Sequence, residues 1–110
     1  MRTGLRGARK YLLILNFNSM AKIYKANGEV LDIEPKNGTD FKLEELQAIV
    51  GGLIDCQMTN DGKDLIVFND EGKLMELPYN ENATKIYQDR VYEGDFLVGD
   101  VLICKETEMK

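Results

Sequence analysis

Leu43-Glu44-Glu45-Leu46-Gln47-Ala48-Ile49-Val50-Gly51-Gly52-Leu53-Ile54-Asp55-Cys56-Gln57-Met58-Thr59 decides the fold. Leu43, Leu46, Ile49 and Val50 recur at the spacing of one helical face. Glu44 and Glu45 fall in the first turns, where the positive end of the helix dipole favours carboxylates. Gly51-Gly52 then supplies a left-handed stop. Beyond it, Ile54, Cys56 and Met58 alternate with Asp55, Gln57 and Thr59, the pattern of a half-buried strand. A short helix runs directly into a strand.

On the C-terminal side, Asn60-Asp61-Gly62-Lys63 is a tight turn. Leu65-Ile66-Val67-Phe68 is a continuous apolar run, expected to be a strand covered on both faces. Asn69-Asp70-Glu71-Gly72-Lys73 turns again, and Leu74-Met75-Glu76-Leu77 reads as a returning strand closed by Pro78. Asn80 is a suitable N-cap for a second helix over Glu81 to about Asp89, with Ala83, Ile86 and Tyr87 on one face. Val101-Leu102-Ile103-Cys104 is the last strand, and Lys105 to Lys110 is expected to fray. On the N-terminal side, Lys22–Ala26 and Glu29–Glu34 flank Asn27-Gly28, a dipeptide suited to a hairpin turn. Thr39 or Asp40 is the expected cap of the first helix. The order is ββαβββαβ. Short connections make neighbouring strands antiparallel, which predicts an α+β domain: one mostly antiparallel sheet with two short helices.

The chain has 110 residues, the size of one domain with one core. Residues 20–110 form that single domain, and residues 1–19 differ from it. They hold Arg2, Arg6, Arg9 and Lys10 and no acid, so the body carries ten basic residues against all nineteen acidic ones, a net of −9 within the chain's −5. So acidic a body repels phosphate backbones, and direct nucleic-acid binding is not expected. Three readings stand for residues 1–19: a secretory signal, a start mis-assigned upstream of Met20, or an extra edge strand over Tyr11–Phe17. The start at Met20 is preferred, because the apolar run Tyr11–Leu15 is short and is followed by Asn16 and Asn18. That run is also too short for a membrane span, so a cytoplasmic protein is expected.

The chain has no histidine, which removes the commonest general base near neutral pH and the commonest transition-metal ligand. The two cysteines, Cys56 and Cys104, form no metal-binding pattern and are expected to be buried apolar residues in a reducing compartment. No phosphate loop, dinucleotide fingerprint or nucleophile elbow is present. Asp61, Asp64, Asp70 and Glu71 suggest a calcium rim, but they lack the spacing of a calcium loop and read as turn residues. Neither an enzyme nor a cofactor nor a metal is expected.

The candidate ligand site is the start of the second helix together with the loop before the last strand: Tyr79, Asn80, Asn82, Thr84, Gly99 and Asp100. A helix start offers free N–H groups, and two Asn and a Thr add hydrogen-bonding side chains able to hold a small anion or nucleotide. The opposing readings are a helix cap at Asn80 and a β-bulge at Gly99-Asp100. On the site reading, replacing Asn80 and Thr84 by Ala removes ligand binding and leaves the melting temperature within a few degrees.

Several strings occur together: Leu43-Glu44-Glu45-Leu46-Gln47-x-Ile49-Val50-Gly51-Gly52, Glu71-Gly72-Lys73-Leu74, Leu77-Pro78-x-Asn80-x-x-Ala83-Thr84 and Val98-Gly99-Asp100-Val101-Leu102. In combination they resemble a family of small proteins encoded by phages and mobile elements of bacteria, catalogued as a domain of unknown function. Lys42 departs from the pattern, which has a Ser or Thr cap there. The resemblance covers about residues 21 to 105 and implies an intracellular accessory protein, without an activity or catalytic residues. The expected function is a non-catalytic binding module acting on a host protein or a small nucleotide. The alternative is an acidic decoy that mimics nucleic acid and occupies a DNA-binding host protein. A homodimer is also possible, with the Lys22–Ala26 hairpin and the Leu74–Leu77 strand as candidate edges.

Overall fold

The computed structural model describes residues 21–108. The expectations for residues 1–19 therefore lie outside the described residues. Five strands, β1 (Lys22–Tyr24), β2 (Val30–Asp32), β3 (Ile54–Met58), β4 (Asp64–Asn69) and β5 (Val101–Lys105), form one sheet in the order β2-β1-β5-β4-β3. Every pairing is antiparallel. Two helices, α1 (Leu43–Val50) and α2 (Glu81–Arg90), complete an α+β fold.

The central strands β4 and β5 are buried on both faces because the helices cover opposite sides. Side chains alternate along a strand, so adjacent residues enter different cores. Val67, Leu102 and Cys104 pack with Leu46 and Val50 of α1 and with Phe41. Ile66, Val101 and Ile103 pack with Ala83 and Tyr87 of α2 and with Leu97. Tyr87 meets Phe68 edge-on, with ring centroids 6.2 Å apart. The continuous apolar runs of these two strands follow directly from this two-sided cover.

The stop of α1 is as its glycines predict. Gly51 has φ 85°, and the N–H groups of Gly51 and Gly52 donate to the Gln47 carbonyl at 2.8 and 3.1 Å. The start differs. Neither Thr39 nor Asp40 caps the helix; both are held in a loop by Asn37, whose Oδ1 accepts their N–H groups at 2.9 Å. Lys42 occupies the cap position with no oxygen to offer. Glu45 compensates, accepting the N–H groups of Lys42 at 3.3 Å and Lys36 at 3.1 Å.

Four more expectations are corrected. Leu74–Leu77 is not a strand. Residues 71–76 wind into a turn in which Met75 N–H donates to Glu71 O and Leu77 N–H to Gly72 O, and Glu76 ends it at φ 59°. Cys56 is exposed, because β3 is an edge strand and α1 reaches over little more than its first residue; Cys104 is buried. Burial pushes the Cys104 thiol up to about 12. The tail does not fray at Lys105. It turns through Glu106–Glu108, and the Glu108 carbonyl accepts the N–H of fully buried Phe41 at 2.7 Å. The first hairpin forms one sheet edge, through β2, as expected, but the other edge is β3 and not Leu74–Leu77.

Leu46 is fully enclosed, whereas Leu74 is 85% exposed. Leu46→Ala is expected to cost about 2–5 kcal/mol in urea unfolding. Leu74→Ala should stay within about 0.5 kcal/mol.

Candidate functional site

The six residues singled out from the sequence meet at one junction, where the start of α2 fits against the end of β1 and the entry to β5. Asn80 is its centre and is 0% exposed. Its Oδ1 accepts the Ala83 N–H at 3.0 Å, which caps α2. Its Nδ2 donates to the carbonyls of Tyr24 and Gly99, both at 2.7 Å. One amide therefore fastens a helix, a strand and a loop, and no hydrogen-bonding capacity is left for a ligand on its donor side.

Thr84 is also buried and also occupied. Its Oγ1 accepts the Leu97 N–H at 2.9 Å and lies 3.3 Å from the Leu97 carbonyl, to which it donates. Gly99 is a tight left-handed corner directly before β5, at φ +73°, and not a bulge within it. A Cβ at this position would sit 2.8 Å from Leu77 Cδ1. Asp100 ties down the β1–β2 hairpin: Oδ1 accepts the Ala26 N–H at 3.0 Å, and Oδ2 is 3.5 Å from Lys25 Nζ. Asn80, Thr84, Gly99 and Asp100 therefore act on the fold. Only Tyr79 and Asn82 turn outward, lining with Lys25, Asn27 and Glu81 a shallow pocket of about 220 Å³.

Reading the sequence missed a different surface. The turn over residues 71–76 exposes Leu74 and Met75, and the loop before β5 brings Phe96 beside Tyr79, with ring centroids 6.0 Å apart. Lys73 Nζ lies 4.2 Å from the Phe96 ring centroid and pairs with Asp95. This lysine holds the Asp95 carboxyl below its usual range. Leu74, Phe96, Phe68 and Val98 line a hollow of about 130 Å³, edged by Asp70 and Asp95. The broken alternation of Leu74-Met75-Glu76-Leu77 was the available signal: two adjacent apolar residues cannot both face the core of a one-sided strand.

Arg90 forms a third cluster at the far end of α2. Its Nη2 lies 2.9 Å from Asp64 Oδ2 and 3.1 Å from Asp61 Oδ2. Together with the Asn60 N–H on the Arg90 carbonyl at 2.8 Å, this pins the helix end to the β3–β4 turn. Asp61 and Asp64 are thus engaged with a guanidinium. Asp70 and Glu71 lie at the opposite end of β4, about 20 Å away for six strand residues. Four carboxylates so placed form no common rim. Asp61 is lowered to about 2, chiefly by the Thr59 hydroxyl, then by the Lys63 N–H and Arg90.

No group of three or more His, Cys, Asp or Glu that could hold a metal occurs among the described residues. No helix among them is long and apolar enough to cross a membrane. A family model described as "Domain of unknown function (DUF3846)" matches residues 23–110. Neither a curated protein nor a solved structure matches the chain.

The saturation of Asn80 reverses the expectation for its removal. Asn80→Ala strands two carbonyls and an N–H in a buried junction and should cost at least about 3 kcal/mol in chemical denaturation. An unchanged melting temperature would contradict the junction's role. Asp61 offers a second check, since its depressed pKa stabilises the fold above the ordinary carboxylate value and that contribution is lost as pH falls through about 2. Thr59→Val should move the Asp61 midpoint, read by carboxyl NMR titration, up towards the ordinary carboxylate value of 3.8.

Proposed function

The chain belongs to this family of unknown function (DUF3846), and on that footing we propose that it is a non-catalytic module that binds another protein through the surface formed by Leu74, Met75, Tyr79 and Phe96. One observation carries the reading: Leu74 and Phe96 stand exposed around a hollow, Met75 and Tyr79 are exposed beside them, and Lys73 and Asp95 at its rim are paired with each other. A surface of this kind, rimmed by charge, suits a protein partner. The hollow of about 130 Å³ has room for one apolar side chain. Asp70 at its edge favours a basic residue beside that anchor.

The small-nucleotide reading has less support. Phosphate recognition needs free cationic or N–H donors. At the Tyr79–Asn82 pocket Lys25 is engaged by Asp100, and the capping side chain of α2 is spent on its own helix. The decoy reading meets a similar difficulty. Asp32, Asp61, Asp64, Glu81, Asp95 and Asp100 are each paired with Lys or Arg, which disperses the negative charge. The resemblance to phage and mobile-element proteins makes a bacterial host protein the natural target, met in the host cytoplasm.

Leu74 allows a clean test, because it is 85% exposed and can be changed without opening the core. Affinity capture from a bacterial lysate, read by mass spectrometry, should retain a specific protein on the wild type and lose it on Leu74→Asp, with melting temperatures matched. Equal retention by the two forms, or no specific retention by the wild type, would sink the proposal.

A further inference from the structure

Strand β3 is an edge, and its geometry shows which of its backbone groups face away from β4; of these, the Met58 carbonyl meets only Nε2 of its neighbour Gln57, at 3.5 Å. Thr59 N–H donates to Asp64 O at 2.9 Å, and Leu53 O accepts the Asp70 N–H at 2.8 Å. Residues 53, 55, 57 and 59 therefore direct their backbone groups at β4. By the alternation of an antiparallel ladder, the N–H and C=O groups of Ile54, Cys56 and Met58 point away from the sheet. The Cys56 N–H is covered only by the carboxylate of its own neighbour, Asp55 Oδ1, at 2.8 Å. Ile54–Met58 contains no lysine, no proline and no bulge, the usual protections of an exposed edge.

From this edge we infer that the protein forms a symmetric dimer in which β3 pairs antiparallel with β3 of a second copy, about a two-fold axis at Cys56. The occupant is argued from the register. Placing Cys56 opposite its own copy sets Ile54 against Met58, apolar on apolar, and Asp55 against Gln57, a carboxylate acceptor against an amide donor. Each side-chain pair is compatible, and the outward backbone groups of Ile54, Cys56 and Met58 meet their counterparts in hydrogen-bonded positions. The two five-stranded sheets become one.

The other edge fails the same test. Centring β2 on Leu31 sets Val30 against Asp32, an apolar side chain against a carboxylate, over three residues. Self-pairing thus selects β3. Neither residue of the Leu74 hollow's exposed rim, Leu74 or Phe96, lies on β3, so the dimer is independent of the proposed partner surface.

The test is the mass of the full chain in solution. Light scattering at about 100 µM, a concentration that populates a dimer of micromolar affinity, should give twice the 12.5 kDa of one chain. Cys56→Lys opposes two ammonium groups at the axis and should weaken association at least about tenfold. In the wild type, amide exchange at Ile54, Cys56 and Met58 should slow as protein concentration rises, while exchange in β4 stays constant. A monomer at that concentration overturns the inference. So does a dimer that a folded Cys56→Lys leaves intact. If Cys56→Lys does not fold, the concentration dependence of exchange at these three amides decides instead, and its absence overturns the inference.

Discussion

Two strands buried on both faces impose the architecture. β4 and β5 carry apolar side chains at successive positions, so whichever way a residue points, it must be removed from water. One helix covers one face only. The chain therefore needs a helix on each side, and the connections deliver them: α1 comes before β3, and α2 lies between β4 and β5. The peripheral strands β1, β2 and β3 are under no such demand and are short, partly exposed or both. Asn80 secures the arrangement where a polar chain must pass through the apolar joint. Burying an amide is tolerable only when its hydrogen bonds are replaced, and three short contacts replace them.

Much of this was legible in the sequence, for identifiable reasons. The helix Leu43–Val50 and its glycine stop rest on local periodicity and on one residue type that tolerates positive φ, and both were found as read. The two-sided burial of Leu65–Phe68 was visible as an unbroken apolar run. Misreadings arose where tertiary context decides. Cys56 has the alternation of a half-buried strand, but alternation does not say whether a helix extends over that edge. Leu74–Leu77 looked like a strand because Pro78 and the preceding turn framed it. The close approach of Gly72 to Val98, where an added Cβ would stand 2.9 Å from the Val98 side chain, keeps the chain curled instead.

The site follows the same division. Sequence reasoning grouped Tyr79, Asn80, Asn82, Thr84, Gly99 and Asp100, and they do assemble. Their chemistry is directed inward because hydrogen-bonding residues flanked by apolar strands serve a buried joint as readily as a ligand. From composition alone these two uses look identical. Broken alternation marked the Leu74 half of the exposed surface, but Phe96 is distant in sequence and joins it through the tertiary contacts of Lys73 and Tyr79. The outward apolar surface and the inward polar joint are thus separate parts of one protein.

The position of β5 in the sheet has a consequence for how the protein is made. β5 lies at the centre of the sheet, between β1 and β4, yet it is the last of the five described strands to be synthesised. Until residues 101–105 leave the ribosome, the β1–β2 hairpin and the β3–β4 hairpin have no strand to join them. Each is a two-stranded ribbon, and such ribbons are marginal alone. The buried Glu108, whose carbonyl holds Phe41, delays closure further still. The nascent chain is therefore two unlinked halves until residues 101–108 have emerged. Contacts between the first and last strands then set the rate of folding.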